Sequence, residues 1–225
     1  MATAWPADIY PRNISFSIQN VSRSGGAATN GQEQIVASGA GRWAAQLSGI
    51  PIKNDDAILA WRAFHIGLRG RAGTVLVPAF DWFRANWPVD AYGRTLDPTF
   101  TRRKRLDGTQ FEDPEIPPQS QVNATFAAAA ARRSTTVQIT VSQGSTIRAG
   151  QYFSPAPGRL HLITAVVNAT TFSIMPPLRD AVIMGQAVDF TRPTCEMRLT
   201  SDDEGRLDLE VARWGFVDLN FVESI

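Results

Sequence analysis

The chain has 225 residues, 44% of them apolar, enough to build one large β domain or two smaller ones with cores of their own. Its 22 lysines and arginines face 21 aspartates and glutamates, a formal net charge of +1, which excludes the strongly basic signature of a nucleic-acid or acidic-membrane binder. The single cysteine, Cys195, excludes an internal disulfide and is too few for a structural zinc site, and the longest apolar runs fall far short of a membrane span.

Charged residues make up only 19% of the chain, below the usual quarter, as expected of a surface partly covered by neighbours. Residues 1–8 carry neither a basic nor an apolar leader segment, so no secretory signal is expected there, and the protein is expected to be made in the cytoplasm and to stay soluble.

Ile14-Ser15-Phe16-Ser17-Ile18 alternates apolar and polar residues, the period of a half-buried strand. Residues 22–31 form a Gly/Ser/Asn segment that reads as a loop, 34–38 resume an extended pattern, and Gly39-Ala40-Gly41 marks a break. Trp43, Ala45 and Leu47 then alternate with Ala44, Gln46 and Ser48, predicting an antiparallel hairpin with an extended tip. One helix is predicted over residues 55–69. Asn54 is its N-cap, Asp55 and Asp56 lie in its first turn, and Ala57, Trp61, Phe64 and Leu68 form its apolar stripe. Gly70 is expected to terminate it, with Arg69 and Arg71 near the negative end of the dipole.

Residues 74–78 read as a short buried strand, followed by an aromatic stretch containing Phe80, Trp82, Phe83, Trp87 and Tyr92. Residues 97–121 are irregular. They hold the basic cluster Arg102-Arg103-Lys104-Arg105 and the acidic residues Glu112, Asp113 and Glu115, an excursion of a length that usually serves a function or a partner. Ala127–Ala131 reads as a short helix or a linker. Short strands at 137–141, 147–153, 160–167, 171–175 and 187–190, punctuated by Gly, Pro and Asn, predict a compact barrel module over 135–191, set into a first domain of 1–134 and 192–225. Strands at 197–199, 207–213 and 216–222 close the chain and are expected to pair with the N-terminal hairpin.

Little in the sequence points to catalysis. His65 and His161 are isolated from each other, and nothing in the spacing brings Cys195 to either of them as a nucleophile pair. Asp202-Asp203-Glu204-Gly205 lacks the alternating ligand spacing of a calcium loop and reads as a polar turn. Gly67, Gly70 and Gly73 follow a helix rather than precede one, so they read as helix-ending rather than phosphate-cradling. No catalytic residue, cofactor or metal site is expected. The candidate functional positions are Arg102, Arg103, Lys104 and Arg105 as contacts to another subunit, an acidic partner or passing nucleic acid, and Trp82, Phe83, Trp87 and Tyr92 as interface aromatics.

An alternating N-terminal strand, a long Gly/Ser segment, Arg42-Trp43, one helix and Val75-Leu76-Val77-Pro78 follow one another in this chain. In that order, and most of all over residues 42–80, it resembles the distal-tail and tail-tip proteins of siphophages (long, non-contractile tails) and of related prophage and gene-transfer-agent-like elements. Gly150-Gln151-Tyr152-Phe153, Leu160-His161-Leu162-Ile163, Ile174-Met175-Pro176-Pro177-Leu178-Arg179, Phe190-Thr191-Arg192-Pro193 and Met197-Arg198-Leu199 extend the resemblance. It implies a mainly β fold: a tail-tube-like β-sandwich or barrel with one flanking helix (about 54–69) and an inserted small β-barrel. It further implies a non-enzymatic virion protein, six copies of which ring a DNA channel between tail tube and hub or baseplate. The implied partners are the tube, hub and tape-measure proteins, with no specific DNA binding and no membrane insertion. Residues 20–33 and 97–121 would serve as arms. The alternatives are another tail component (tube, terminator or hub), a receptor- or carbohydrate-binding module resting on Trp82 and Trp87, and a hydrolase using an unrecognised carboxylate pair.

Overall fold

The computed structural model describes residues 2–7, 9–20, 22–27, 33–37, 41–81, 123–143, 146–207 and 214–225. The fold is mainly β, with one α-helix among the described residues. The chain divides into two compact units. The first comprises Met1–Phe80, Pro157–Leu160 and Thr194–Ile225, and the second Asp81–Ala156 and His161–Pro193. Sequence patterning had set the start of the second unit at 135. It falls earlier because the strand at Asn123–Phe126 pairs within the second sheet.

The first unit is built on a six-stranded sheet. Its strands are β1 (Thr3–Ala4), β2 (Asn13–Gln19), β5 (Arg42–Ile52), β6 (Val75–Pro78), β13 (Thr194–Leu199) and β14 (Gly215–Glu223), in the order β1-β6-β13-β14-β5-β2. Only β1 and β6 run parallel. As expected, the C-terminal strand pairs with the N-terminal hairpin: Phe221 lies opposite Ala45, and Ala45 opposite Phe16. On β14, Val217, Leu219 and Phe221 point inward and Asp218 and Asn220 outward, the alternation of a sheet with one buried face. A bulge sets Ser48 and Gly49 opposite Asp218. Gly49 has a φ of 64°, and its N–H donates to the Asp218 carboxylate at 2.7 Å.

The helix α1 (Asp55–Leu68) begins where Asn54 accepts a bond from the Ala57 N–H at 2.8 Å. It buries Trp61, Phe64 and Leu68 as expected, but at the first position Ile58 is buried and Ala57 only half-buried. Arg69 takes the left-handed cap at φ 52°, Gly70 follows at 64°, and a short 3-10 turn spans Gly70–Ala72. The core is organised by Trp5, a residue the sequence reading passed over. Its ring meets Trp61, Phe64, Phe80 and Phe221 edge-on at 5.6–6.4 Å, and its indole N–H donates to the Ile9 carbonyl at 2.7 Å.

Between β2 and β5 stand β3 (Ser22–Ala27) and β4 (Glu33–Ala37), paired antiparallel as a separate two-stranded ribbon. Part of the segment read as a loop is therefore strand. Its composition gave no strand signal, because Ser and Gly carry no apolar alternation.

The second unit is a small barrel. Its strands are β7 (Asn123–Phe126), β8 (Thr136–Gln143), β9 (Tyr152–Phe153), β10 (His161–Val166), β11 (Thr171–Met175) and β12 (Ala187–Val188), in the order β12-β7-β8-β11-β10-β9, every pairing antiparallel. Ser154 and Asp189 exchange both backbone hydrogen bonds at 2.9 Å, which joins the two outer strands and nearly closes the sheet on itself. The interior is filled by Phe126, Ile139, Phe153, Ile163, Phe172, Val188 and Phe190, among others. The alanine run is neither helix nor linker: Ala130 bridges to Val182 along the barrel wall.

Candidate assembly surfaces

In unit one, the ribbon β3–β4 exposes every side chain described in it. Ser24 donates to the Glu33 carboxylate across the strands, and Ile35 and Val36 are each 62% exposed. Adjacent residues of a strand point to opposite faces, so an aliphatic side chain stands out on each side of the ribbon. The neighbouring β2 is an outer strand of the six-stranded sheet, with Ser15, Ser17 and Gln19 exposed. Outer strands carry backbone groups available to another chain.

The second surface is the outward side of α1. Leu59 is 62% and Ile66 74% exposed, and Ala60, Ala63 and Gly67 around them are exposed as well. A surface helix normally turns charge toward solvent, and this one turns a largely apolar stripe.

Among the described residues, both histidines and the acidic turn are engaged in structural bonds. His65 donates from Nε2 to the Glu204 carbonyl at 2.8 Å and stacks on Trp61, whose indole N–H reaches the Gly205 carbonyl at 3.2 Å. His161 is fully buried, donates from Nδ1 to the Pro176 carbonyl at 2.9 Å, and lies against Phe153. Cys195 is fully buried on β13. The acidic turn ties the first unit together: Asp202 accepts from the Arg71 N–H at 2.8 Å, and Glu204 accepts from Thr200 Oγ1 and from the Asn220 N–H. Among the described residues no group of three or more His, Cys, Asp or Glu side chains is placed to hold a metal ion. Burial, and behind it the negative charge of Asp81, pushes the Tyr152 phenol above the ordinary tyrosine range.

Arg102, Arg103, Lys104 and Arg105, and the aromatics Trp82, Phe83, Trp87 and Tyr92, lie outside the described residues, as do 97–121 and 208–213. The ribbon and the outer face of α1 are the surfaces that sequence reasoning missed. The signal for the second was legible, since Leu59, Ala63 and Ile66 repeat at helical spacing opposite the buried stripe. Comparison with known protein families and with curated proteins found no match.

Proposed function

We propose that this protein is a structural subunit of a virion tail tip, of the siphophage distal-tail class. Six copies close a ring that joins the tail tube to the hub or baseplate and leaves a channel for DNA. The role is mechanical. The tube, hub and tape-measure proteins are its neighbours, and DNA passes without being specifically bound.

The observation that carries this reading is the ribbon: two paired strands with all their described side chains in solvent, Ile35 and Val36 among them. A lone two-stranded ribbon is marginal in water, so such an arm is suited to lying on a neighbour. The family resemblance over residues 42–80 supports the tail assignment, and the nearly closed barrel agrees with the module that the resemblance implies. Native mass spectrometry with negative-stain imaging of the purified protein tests it. Closed rings of six copies are expected. A protein that stays monomeric at high concentration, alone and mixed with a siphophage tail tube, would overturn the reading.

A further inference from the structure

We propose that the outer face of α1 is a self-complementary docking surface whose occupant is α1 of a second copy, antiparallel about a two-fold axis. The inference stands on the helix alone and does not require a ring.

Leu59, Ala63 and Ile66 follow i, i+4, i+7 and run down the exposed side of the helix, with Ala60 and Gly67 beside them. The small residues allow close approach of a second helix, and Leu59 and Ile66 supply the apolar contact. Asp55 and Arg62 follow i, i+7 along one flank of that stripe, and Arg69, the left-handed cap just past the last turn, adds a second cation at that end, so the helix is acidic at its start and basic at its end.

An antiparallel pair crossing between Arg62 and Ala63 sets Leu59 opposite Ile66 of the second copy. In the same register Asp55 faces Arg69 of the second copy on the shared flank, and the two-fold repeats each contact. A parallel pair would instead turn this flank toward the opposite flank of the second copy, and Asp55 would have no Arg69 to face. A head-to-tail ring contact joins two different surfaces and has no need of a helix complementary to itself, whereas a two-fold contact requires it. One contact opposes the pairing: the two Arg62 side chains approach each other near the axis. Removing that charge should therefore tighten the pair, an outcome that a generic sticky patch does not predict.

Sedimentation velocity over a concentration series at low salt tests the pairing on the full chain, with circular dichroism to confirm folding. Asp55→Arg alone sets six arginines on the shared flank, from positions 55, 62 and 69 of both copies, and Arg69→Asp alone sets four acids there beside the two Arg62. Each variant should self-associate about tenfold more weakly than the unaltered chain. An equimolar mixture of the two restores both cross-contacts and should recover the original association, while Arg62→Ala should exceed it. Asp is tolerated at the left-handed position of Arg69, so that variant folds even where Asp55→Arg weakens the first turn. A mixture no tighter than its two components, or an unaltered chain with no two-copy species, overturns the pairing. Rings of six that persist unchanged in every variant would overturn it while leaving the tail-tip reading intact.

Discussion

Replacing Ile35 and Val36 together by serine separates an arm that serves association from one that serves the fold. Each side chain is 62% exposed, so about two-thirds of its burial remains to be gained on a partner. Full burial of an aliphatic side chain contributes about 2 kcal/mol, so coverage by a neighbour adds about 1.3 kcal/mol each. Because the two point to opposite faces, a ribbon enclosed on both faces gains about 2.5 kcal/mol, on the order of a seventyfold loss in association constant for the double variant, and one covered on a single face about half that energy. The free chain should change little, because β3 and β4 pair only with each other and their loss registers as local opening. The melting temperature is expected to stay within about 3 °C of the unaltered protein, the usual range for a surface change in a chain of this size. Thermal melting and sedimentation on the same samples give both numbers. A large drop in melting temperature would show that the ribbon supports its own unit. Unchanged association would show that it touches no neighbour. Either result refutes the reasoning.

Three further changes probe the fold that carries these surfaces. A Cβ on Gly73 would stand 2.2 Å from the Leu68 carbonyl oxygen and 2.9 Å from its carbonyl carbon and Cα, all main-chain atoms, so Gly73→Ala should cost about 2–3 kcal/mol and lower the melting temperature by about 5–10 °C. An unchanged melt would contradict that close approach. Glu223, 2% exposed, accepts the Trp43 backbone N–H at 3.0 Å, so Glu223→Leu should lose about 1–3 kcal/mol in denaturant unfolding while Glu223→Gln, which keeps an acceptor, stays near the unaltered value. Equal losses for the two would place the effect elsewhere. The fold holds the Tyr152 phenol neutral, chiefly by burial, so its contribution is complete below the ordinary value of 10.0 and is lost as pH rises toward the higher folded value. A 295 nm titration should show a late-ionising phenol that Tyr152→Phe removes, and a profile unaltered by that substitution would rule the shift out.

Much of this architecture is legible in the sequence, for identifiable reasons. Ile14, Phe16 and Ile18 alternate because β2 lies on a sheet with one covered face, and residues 171–175 are read to the residue because Phe172 and Ile174 enter the barrel interior on either side of Ser173. Helix α1 is announced by Asn54, Asp55 and Asp56. What escapes is structure held by the backbone. Ser154 and Asp189 nearly close the barrel through main-chain bonds, and their polar side chains give no periodic signal. Ser22–Ala27 forms a strand through pairing with β4, against its own composition. Trp5 sits between short irregular stretches, and its central place follows from which elements converge on it, a property of topology. Only the first residue of the helix stripe differs from expectation, because Ala57 and Ile58 are both apolar and packing decides which turns inward.

The ribbon poses an energetic question that its own unit does not answer. Six residues in β3 and five in β4 are held extended, and ordering a backbone residue costs about 1–2 kcal/mol. Each ladder hydrogen bond returns about 1 kcal/mol net, and in a two-stranded ribbon fewer than one such bond forms per residue. Strands within the six-stranded sheet offset that deficit by burying side chains such as Leu47, Val217 and Phe221. None of the ribbon's described side chains is buried, and it places two β-branched aliphatic residues in water instead. On the proposed assembly, a neighbour covering the ribbon would supply the burial that its own unit does not. The same reasoning applies to α1, whose inward face is satisfied by Ile58, Trp61, Phe64 and Leu68 while Leu59 and Ile66 remain in solvent. Both of these apolar surfaces lie on the first unit, which is why the two association tests are directed there.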